Sequence, residues 1–361
     1  MPAASIAARR IQQRGAGQGG VSGVDDGDTN GGRARDEASG RVNRTWQLAT
    51  QGPFHLEATV RVLQRRPANP VDVWDRDRYR RLLPLAEGVA LVEVQNRGSI
   101  DAPDVRFTIR RGPSSAVACR EAGRMLCRIL GLDVDPTLLQ RAAARRHGMT
   151  APARALRGLR PPRFAGLFET FANVVPFQQL SLDAGVAIVS RLVAKFGPHI
   201  DHDGHRFRTF PTAPRIAGAH LGELRACGLS ARKAQVLRDL ACIVASGALA
   251  EDRLQAMSTA VARRVLTGLP GIGPWSADLV LLRGLGRIDV FPQGDAGAER
   301  GLRLLRGLAP RAPLGDVIDG FGRYRGFLYF LLLGSSLLRK GYIHAAPEAP
   351  RAAGIRQTSP V

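Results

Sequence analysis

The run Leu269-Pro-Gly-Ile-Gly-Pro-Trp-Ser-Ala-Asp278 constrains this chain more than any other stretch. Residues from Ala260 to Leu266 carry a helical pattern, Leu-Pro-Gly-Ile-Gly cannot continue it, and Ala277, Val280, Leu281 and Leu285 restore the helical period over 276–285. The string predicts a helix, a tight hairpin and a second helix. Gly271 and Gly273 can take positive φ and present no Cβ, so the hairpin amides and the start of the second helix can meet a phosphate oxygen. Such a grip reads only the nucleic-acid backbone and is indifferent to base sequence. A Gly-x-Gly between two helices is also an ordinary turn; the downstream string Asp289-Val-Phe-Pro-Gln-Gly-Asp295 argues for more.

The charge balance agrees with a polyanionic partner. Fifty-two basic against 31 acidic residues give a formal net charge of +21, and each phosphate neutralised by such a surface releases counterions. Lysine occurs only at Lys195, Lys233 and Lys340, so nearly all of this charge is arginine; that bias also fits a GC-rich coding sequence. No apolar run is long enough to span a bilayer, and the longest, 326–338, is broken by Gly and Ser. No secretory pattern follows Met1-Pro-Ala-Ala-Ser, so the expected location is cytoplasmic and nucleoid-associated. Cys119, Cys127, Cys227 and Cys242 form no Cys-x-x-Cys pair and have no zinc-like spacing to His, which predicts small buried hydrophobes.

A chain of 361 residues suggests two domains plus unstructured sequence. Residues 1–44 are rich in Gly, Arg and Asp and nearly devoid of large apolar side chains, the composition of a disordered tail. Alternating patterns at 55–62, 88–95 and 105–110 read as strands of an antiparallel sheet, and 115–130 as a helix, giving an α+β N-terminal domain over 45–140. A basic connector follows over 141–163. From 164 to 342 the strand signal disappears, and helices are expected over 164–178, 182–196, 216–227, 231–244, 256–267, 276–285, 297–308 and 326–340, with a C-terminal tail over 343–361. The chain is therefore read as mainly α, an α+β domain followed by an all-α one.

The motif Gly271-Ile-Gly-Pro-Trp-Ser-Ala277, with Asp289-Val-Phe-Pro, two residues and Asp295, resembles the 3-methyladenine DNA glycosylase II family within the helix-hairpin-helix superfamily of base-excision DNA glycosylases. The resemblance covers about residues 45–342 and is most specific over 269–297. It implies a hydrolase that flips a damaged base from double-stranded DNA and cuts its N-glycosidic bond, acting as a monomer. Breaking that bond builds positive charge on the sugar, so a nearby carboxylate stabilises the transition state. The resemblance assigns this role to Asp295, which also stands where a helix N-cap belongs. Asp278 and Asp289 are lesser candidates, suited to solvated or capping roles.

Further roles come from the same resemblance. Relatives that also cleave the backbone carry a lysine where this chain has Trp275, and an indole cannot form a Schiff base, so base removal alone is expected. Trp275, Tyr324, Phe177, Gln178 and Leu279 would form the base pocket, where an electron-rich indole suits an electron-poor alkylated purine. Phe321 and Arg323 replace the Trp and Pro that relatives carry near Tyr324. In Val175-Pro-Phe-Gln-Gln-Leu-Ser181, Gln179 would enter the duplex as the nucleotide flips out. Leu269, Gly271, Ile272, Gly273 and Ser276 would hold the DNA backbone. A potassium or sodium ion at the main-chain carbonyls of Leu269 and Gly271 is implied as an option, and an iron-sulfur cluster is not expected, since no cysteine follows Cys242. The pattern leaves open which alkylated or deaminated base is taken, and also a non-catalytic DNA-binding scaffold.

Overall fold

The computed structural model describes residues 45–146 and 148–347, all within one compact unit. The expected tail at 1–44 and most of the expected C-terminal tail lie outside the described residues. The first region is built on five antiparallel strands in the order β1-β5-β4-β3-β2: β1 Thr45–Gln47, β2 Val73–Asp75, β3 Arg78–Leu85, β4 Gly88–Asn96 and β5 Val105–Arg111. Helix α1, Leu56–Gln64, enters between β1 and β2, and α2, Ala116–Ile129, follows β5. Ser115 caps α2 by accepting from the Ala118 amide, and Ala118, Cys119, Ala122, Leu126 and Ile129 pack with Tyr79, Val92, Val94 and Phe107 of the sheet.

Residues 55–62 correct the sequence reading, because their alternation belongs to α1 and not to a strand. The cause is two-sided burial. Leu56, Val60 and Leu63 face the sheet's core, while Ala58 and Val62 face the larger helical core. A helix pressed between two cores loses the single apolar stripe by which helices are recognised. His55 starts it, its ring nitrogen accepting from the Ala58 amide.

Two short helices, α3 (Pro136–Ala144) and α4 (Thr150–Ala155), occupy the stretch read as a connector. The helical region continues with α5 (Leu167–Ala172), a 3-10 turn at Val175–Phe177, and α6 (Leu182–Phe196). A two-stranded hairpin then intervenes, β6 (His199–His202) with β7 (His205–Arg208), so the region is not purely helical. Its signal is Asp203-Gly204, both at positive φ (49° and 72°), the pairing that two-residue hairpin turns favour. Phe207 of this hairpin packs on Leu82 and Leu91 of the sheet.

Beyond the hairpin come α7 (Ala213–Ala217), α8 (Leu221–Ala226), α9 (Ala231–Ala245), α10 (Glu251–Ala256), α11 (Thr259–Thr267), α12 (Pro274–Leu279), α13 (Ala296–Arg306), α14 (Gly315–Asp319) and α15 (Arg325–Arg339). A π-helical turn at Val280–Gly284 extends α12. The helix expected over 216–227 is two helices, and that over 164–178 ends early, at Asn173. Helix α15 runs through the core, burying Phe327, Leu328, Phe330, Leu331 and Leu332.

A buried polar cluster ties sheet to helices. Arg81 of β3, fully buried, donates to Asp72 and Glu169 at 2.6 Å each, and the Tyr79 hydroxyl donates to Asp72 at 2.8 Å. Burial pushes the Glu169 carboxyl up against the pull of Arg81. β3 escapes sequence reading for this reason: Arg78, Arg80 and Arg81 look solvated, yet Arg81 is interior because acids on two other segments meet it.

Candidate active site

The hairpin joins α11 to α12 as expected, but its two glycines serve different purposes. Gly271 has φ 69°, and a Cβ there would strike Val236 of α9 at 2.6 Å. Gly273 has φ −85° and ψ 179°, a conformation open to any residue, which corrects the expectation of a positive φ at this position. Among the described residues no side chain or backbone beyond its immediate neighbours lies within 4 Å of where its Cβ would be. It stands exposed as the N-cap of α12, ahead of first-turn amides that have no partner within the helix. Ile272 is buried and anchors the turn, Leu269 is half-buried, and the Ser276 hydroxyl faces inward. The hairpin thus presents backbone outward and side chains inward.

Asp295 lies at the N-terminus of α13, across from the start of α12. Its Oδ1 accepts from the Ala298 amide at 2.9 Å, and its Oδ2 accepts from the Trp275 indole N–H at 3.2 Å. The residue caps its helix and meets Trp275 with the same carboxylate, so capping and chemistry are compatible. Among the described residues no cation lies within ion-pair distance of it. The other carboxylates of the motif are engaged elsewhere: Asp278 pairs with Arg263 at 2.7 Å, and Asp289 accepts from the Thr259 hydroxyl at 2.9 Å. Burial raises the Asp278 carboxyl despite that arginine.

Charged and aromatic groups missed by sequence reasoning stand behind Asp295. Tyr329 of α15 is buried, and burial together with the field of Asp295 pushes its hydroxyl up to about 12. Arg283, on the π-turn, has no exposed surface; burial and the nearby Arg65 push its guanidinium down to about 9, and it lies 4.6 Å over the Phe164 ring. Arg65, at the end of α1 with φ 63°, sits 4.7 Å over the Phe177 ring. Burial lowers its pKa, and the fields of Tyr329 and Asp295 partly offset this. The only sequence sign of Arg65 was its place after an amphipathic segment that read as a strand.

The turn after Phe177 is fastened from two sides. Gln178 donates from Nε2 to the Gly271 carbonyl and to the Ser276 hydroxyl, both at 2.9 Å, so it ties this turn to the hairpin. Lys233 of α9 donates from Nζ to the carbonyls of Gln178 at 2.5 Å and Pro176 at 3.2 Å. Gln179 is exposed with φ 54°, and the next residue, Leu180, leaves 44% of its surface open. Leu180 is the functional candidate that sequence reading passed over; an exposed leucine beside a strained glutamine was the available signal. Phe177 packs against Gly185 of α6, where a Cβ would collide with its ring.

Leu279 is buried in the helical core. Tyr324 lines a cavity of about 680 Å³ with Phe321 and four arginines, Arg141, Arg145, Arg146 and Arg323. No acidic side chain among the described residues lines it, and the Arg323 guanidinium donates to the Tyr324 hydroxyl at 2.6 Å. Of the thiols, Cys119 and Cys227 are buried as expected, whereas Cys242 is exposed on α9. No helix among the described residues is long and apolar enough to cross a membrane.

A helix, backbone-presenting hairpin and helix, with a carboxylate beside the second helix that has no ion pair among the described residues and a sheet domain ahead of it, is a helix-hairpin-helix arrangement. The family model described as HhH-GPD superfamily base excision DNA repair protein matches residues 173–315, and that of the AlkA N-terminal domain matches 45–165. Residues 173–315 are thus similar to the HhH-GPD superfamily, and residues 45–165 to the AlkA N-terminal domain. A DNA-3-methyladenine glycosylase of Bacillus subtilis is 32% identical over 52% of this chain, which spans 62% of that relative's length. DNA-3-methyladenine glycosylase 2 of Escherichia coli is 28% identical over 69% of this chain and 84% of its own. A solved 3-methyladenine DNA glycosylase of Archaeoglobus fulgidus superposes with a TM-score of 0.67 at 25% identity, covering 81% of this chain and 98% of that one.

Proposed function

We propose that the protein is a monofunctional DNA glycosylase that excises alkylated purines in base excision repair. The observation that carries this reading is Asp295, joined to the Trp275 indole and without an ion pair among the described residues, beside an exposed backbone hairpin. The hairpin takes phosphates through its main chain. Gln179 and Leu180 enter the duplex, and the damaged nucleotide rotates out towards Trp275. As the glycosidic bond lengthens, positive charge grows on the sugar, and the Asp295 carboxylate stabilises it and orients the attacking water. The arginines beside Tyr324 offer the backbone a second basic surface.

Base removal alone is supported by the residue types: Trp275 stands at the Schiff-base position, and the Lys233 ammonium is committed to two carbonyls. Borohydride present during turnover should therefore trap no protein–DNA adduct; a covalent adduct would overturn this part of the proposal. A monovalent ion at the hairpin would use the second lone pairs of the Leu269 and Gly271 carbonyls, which each accept one hydrogen bond, from the Ile272 amide and from Gln178.

A second reading, excision of a neutral deaminated base, is favoured by Arg65, whose cation near Asp295 opposes a positively charged purine. Incubation of the pure protein with duplexes carrying 3-methyladenine, 7-methylguanine, ethenoadenine or hypoxanthine decides. Release of the alkylated bases supports the first reading, release of hypoxanthine alone the second, and release of none favours a DNA-binding scaffold.

A further inference from the structure

Lysine is rare in this chain, and Lys233 is placed where two segments must keep register. It lies in the first turn of α9, after the Ser230 cap, and the same helix carries Val236 three residues later. Residues three apart share a helix face. From that face the Lys233 ammonium reaches the carbonyls of Pro176 and Gln178, while Val236 closes on the backbone of Gly271. Gln178 completes the connection by donating to the Gly271 carbonyl and the Ser276 hydroxyl. α9, the hairpin and the turn that presents Gln179 and Leu180 are thus joined pairwise.

That turn needs holding. Gln179 adopts a left-handed backbone, which is unfavourable for a non-glycine residue. Leu180 beside it is left exposed, where water would favour its withdrawal. No carboxylate among the described residues is within ion-pair distance of Lys233, so its charge is spent on the two carbonyls. Hydrogen bonds from a charged donor are stronger than neutral ones.

We propose that Lys233 is a positioning residue for base flipping: by clamping the carbonyls of Pro176 and Gln178 it holds Gln179 and Leu180 in the exposed, strained turn, in fixed register with the phosphate-gripping hairpin. It acts through the turn and touches neither the base nor the reacting sugar. This inference rests on the glycosylase reading for its consequence in excision, although the clamp itself is testable without it.

The test compares Lys233→Met, which keeps the stem and loses the donors, with Lys233→Arg, which keeps a charged donor able to reach two carbonyls. Flipping is read as the fluorescence rise of 2-aminopurine placed beside an abasic-site analogue in a duplex, a signal that needs no turnover. Excision is read under single-turnover conditions from the best lesion in duplex and in single-stranded DNA, with thermal unfolding and affinity for undamaged duplex as controls. Lys233→Met should lose most of the fluorescence rise and slow duplex excision roughly tenfold, with single-stranded excision and undamaged-duplex affinity within twofold of wild type. Lys233→Arg should restore at least half of the fluorescence rise. A Lys233→Met variant that flips like wild type overturns the clamp, as does one that loses single-stranded and duplex excision equally. If the variant unfolds early, Lys233→Arg alone decides, because a clamp predicts recovery and a purely structural ammonium site does not. Should the wild type excise nothing, the glycosylase reading fails while the fluorescence comparison still decides the clamp.

Discussion

Two regions of this molecule treat charge in opposite ways. Where the sheet meets the helices, Arg81 meets Asp72 and Glu169 at 2.6 Å, with Tyr79 closing the set; the two carboxylates share one buried guanidinium inside the protein. At the start of α13, Asp295 has an amide and an indole N–H as its hydrogen-bond partners among the described residues. Both sites centre on carboxylates in a chain where arginine is abundant, so the difference is one of placement. A carboxylate neutralised by arginine has little field left for a substrate, whereas one held by neutral donors keeps its charge available. The first region is a joint, and the second is a site.

The sharpest way to break that contrast is to remove the joint's cation. Arg81→Met would leave Asp72 and Glu169 buried without a counter-charge, and breaking a buried pair from one side typically costs about 3–5 kcal/mol. Urea unfolding should show a loss of that size, while the fraction still folded excises at the wild-type rate. Unchanged stability would mean the cluster is not the joint described.

At the site the expected result is reversed. Asp295→Asn keeps the shape and the capping oxygen, so stability should change little. Single-turnover excision should fall on the order of a hundredfold or more, while binding to lesion-bearing DNA, read by fluorescence anisotropy, survives. Wild-type excision by this variant would reduce Asp295 to a helix cap. A smaller effect is expected from Trp275→Phe, which retains an aromatic face but removes the donor to Asp295. A hydrogen bond to a charged group contributes about 1.5 kcal/mol or more, so excision should slow roughly tenfold. Equal loss in Trp275→Phe and Trp275→Leu would place the importance in the ring's edge and not in stacking.

The same contrast explains what could be read from the sequence. The hairpin and Asp295 were legible because they are local: a helix-breaking string between two periodic runs, then an acid opening the next helix. The helices α2, α6, α9 and α13 were legible for the same reason, each with one apolar stripe, and α15 as a long apolar run. Features made by distant segments were not. Arg81 reads as a solvated strand residue until Glu169 of α5 reaches it, and α1 reads as a strand because two cores claim its alternate residues. Within the site, Arg65, Tyr329 and Lys233 converge from α1, α15 and α9, and nothing in their own neighbourhoods announces the meeting. The hairpin at Asp203-Gly204 was local and legible, and was missed because helices on both sides set the expectation.

The smallest effect lies on the sheet at Glu93, itself buried but held by partly exposed arginines, so charge matching is repeated with more water. This carboxylate on β4 accepts from Arg80 at 2.7 Å and Arg110 at 2.5 Å, with Arg78 at 3.3 Å. Burial pushes its pKa up, but the hydrogen bonds from Arg110 and Arg80 outweigh burial and hold it below the ordinary value of 4.5. A carboxyl with a lowered folded-state pKa contributes stability that is present above its unfolded value and is lost as pH falls through the folded one. Glu93 should therefore help the fold near neutrality and stop helping as pH drops from 4.5 through its lower folded value. Because the arginines around it are partly exposed, solvent screens the pairs, and the contribution is smaller than that of Arg81. Glu93→Gln tests this in unfolding curves taken from neutral pH downward. The variant should be less stable than wild type at pH 7, and the gap should close through that acid window, with excision untouched throughout. A gap that stays constant with pH would show that Glu93 contributes by shape and hydrogen bonding alone, and that charge matching matters only in the buried joint.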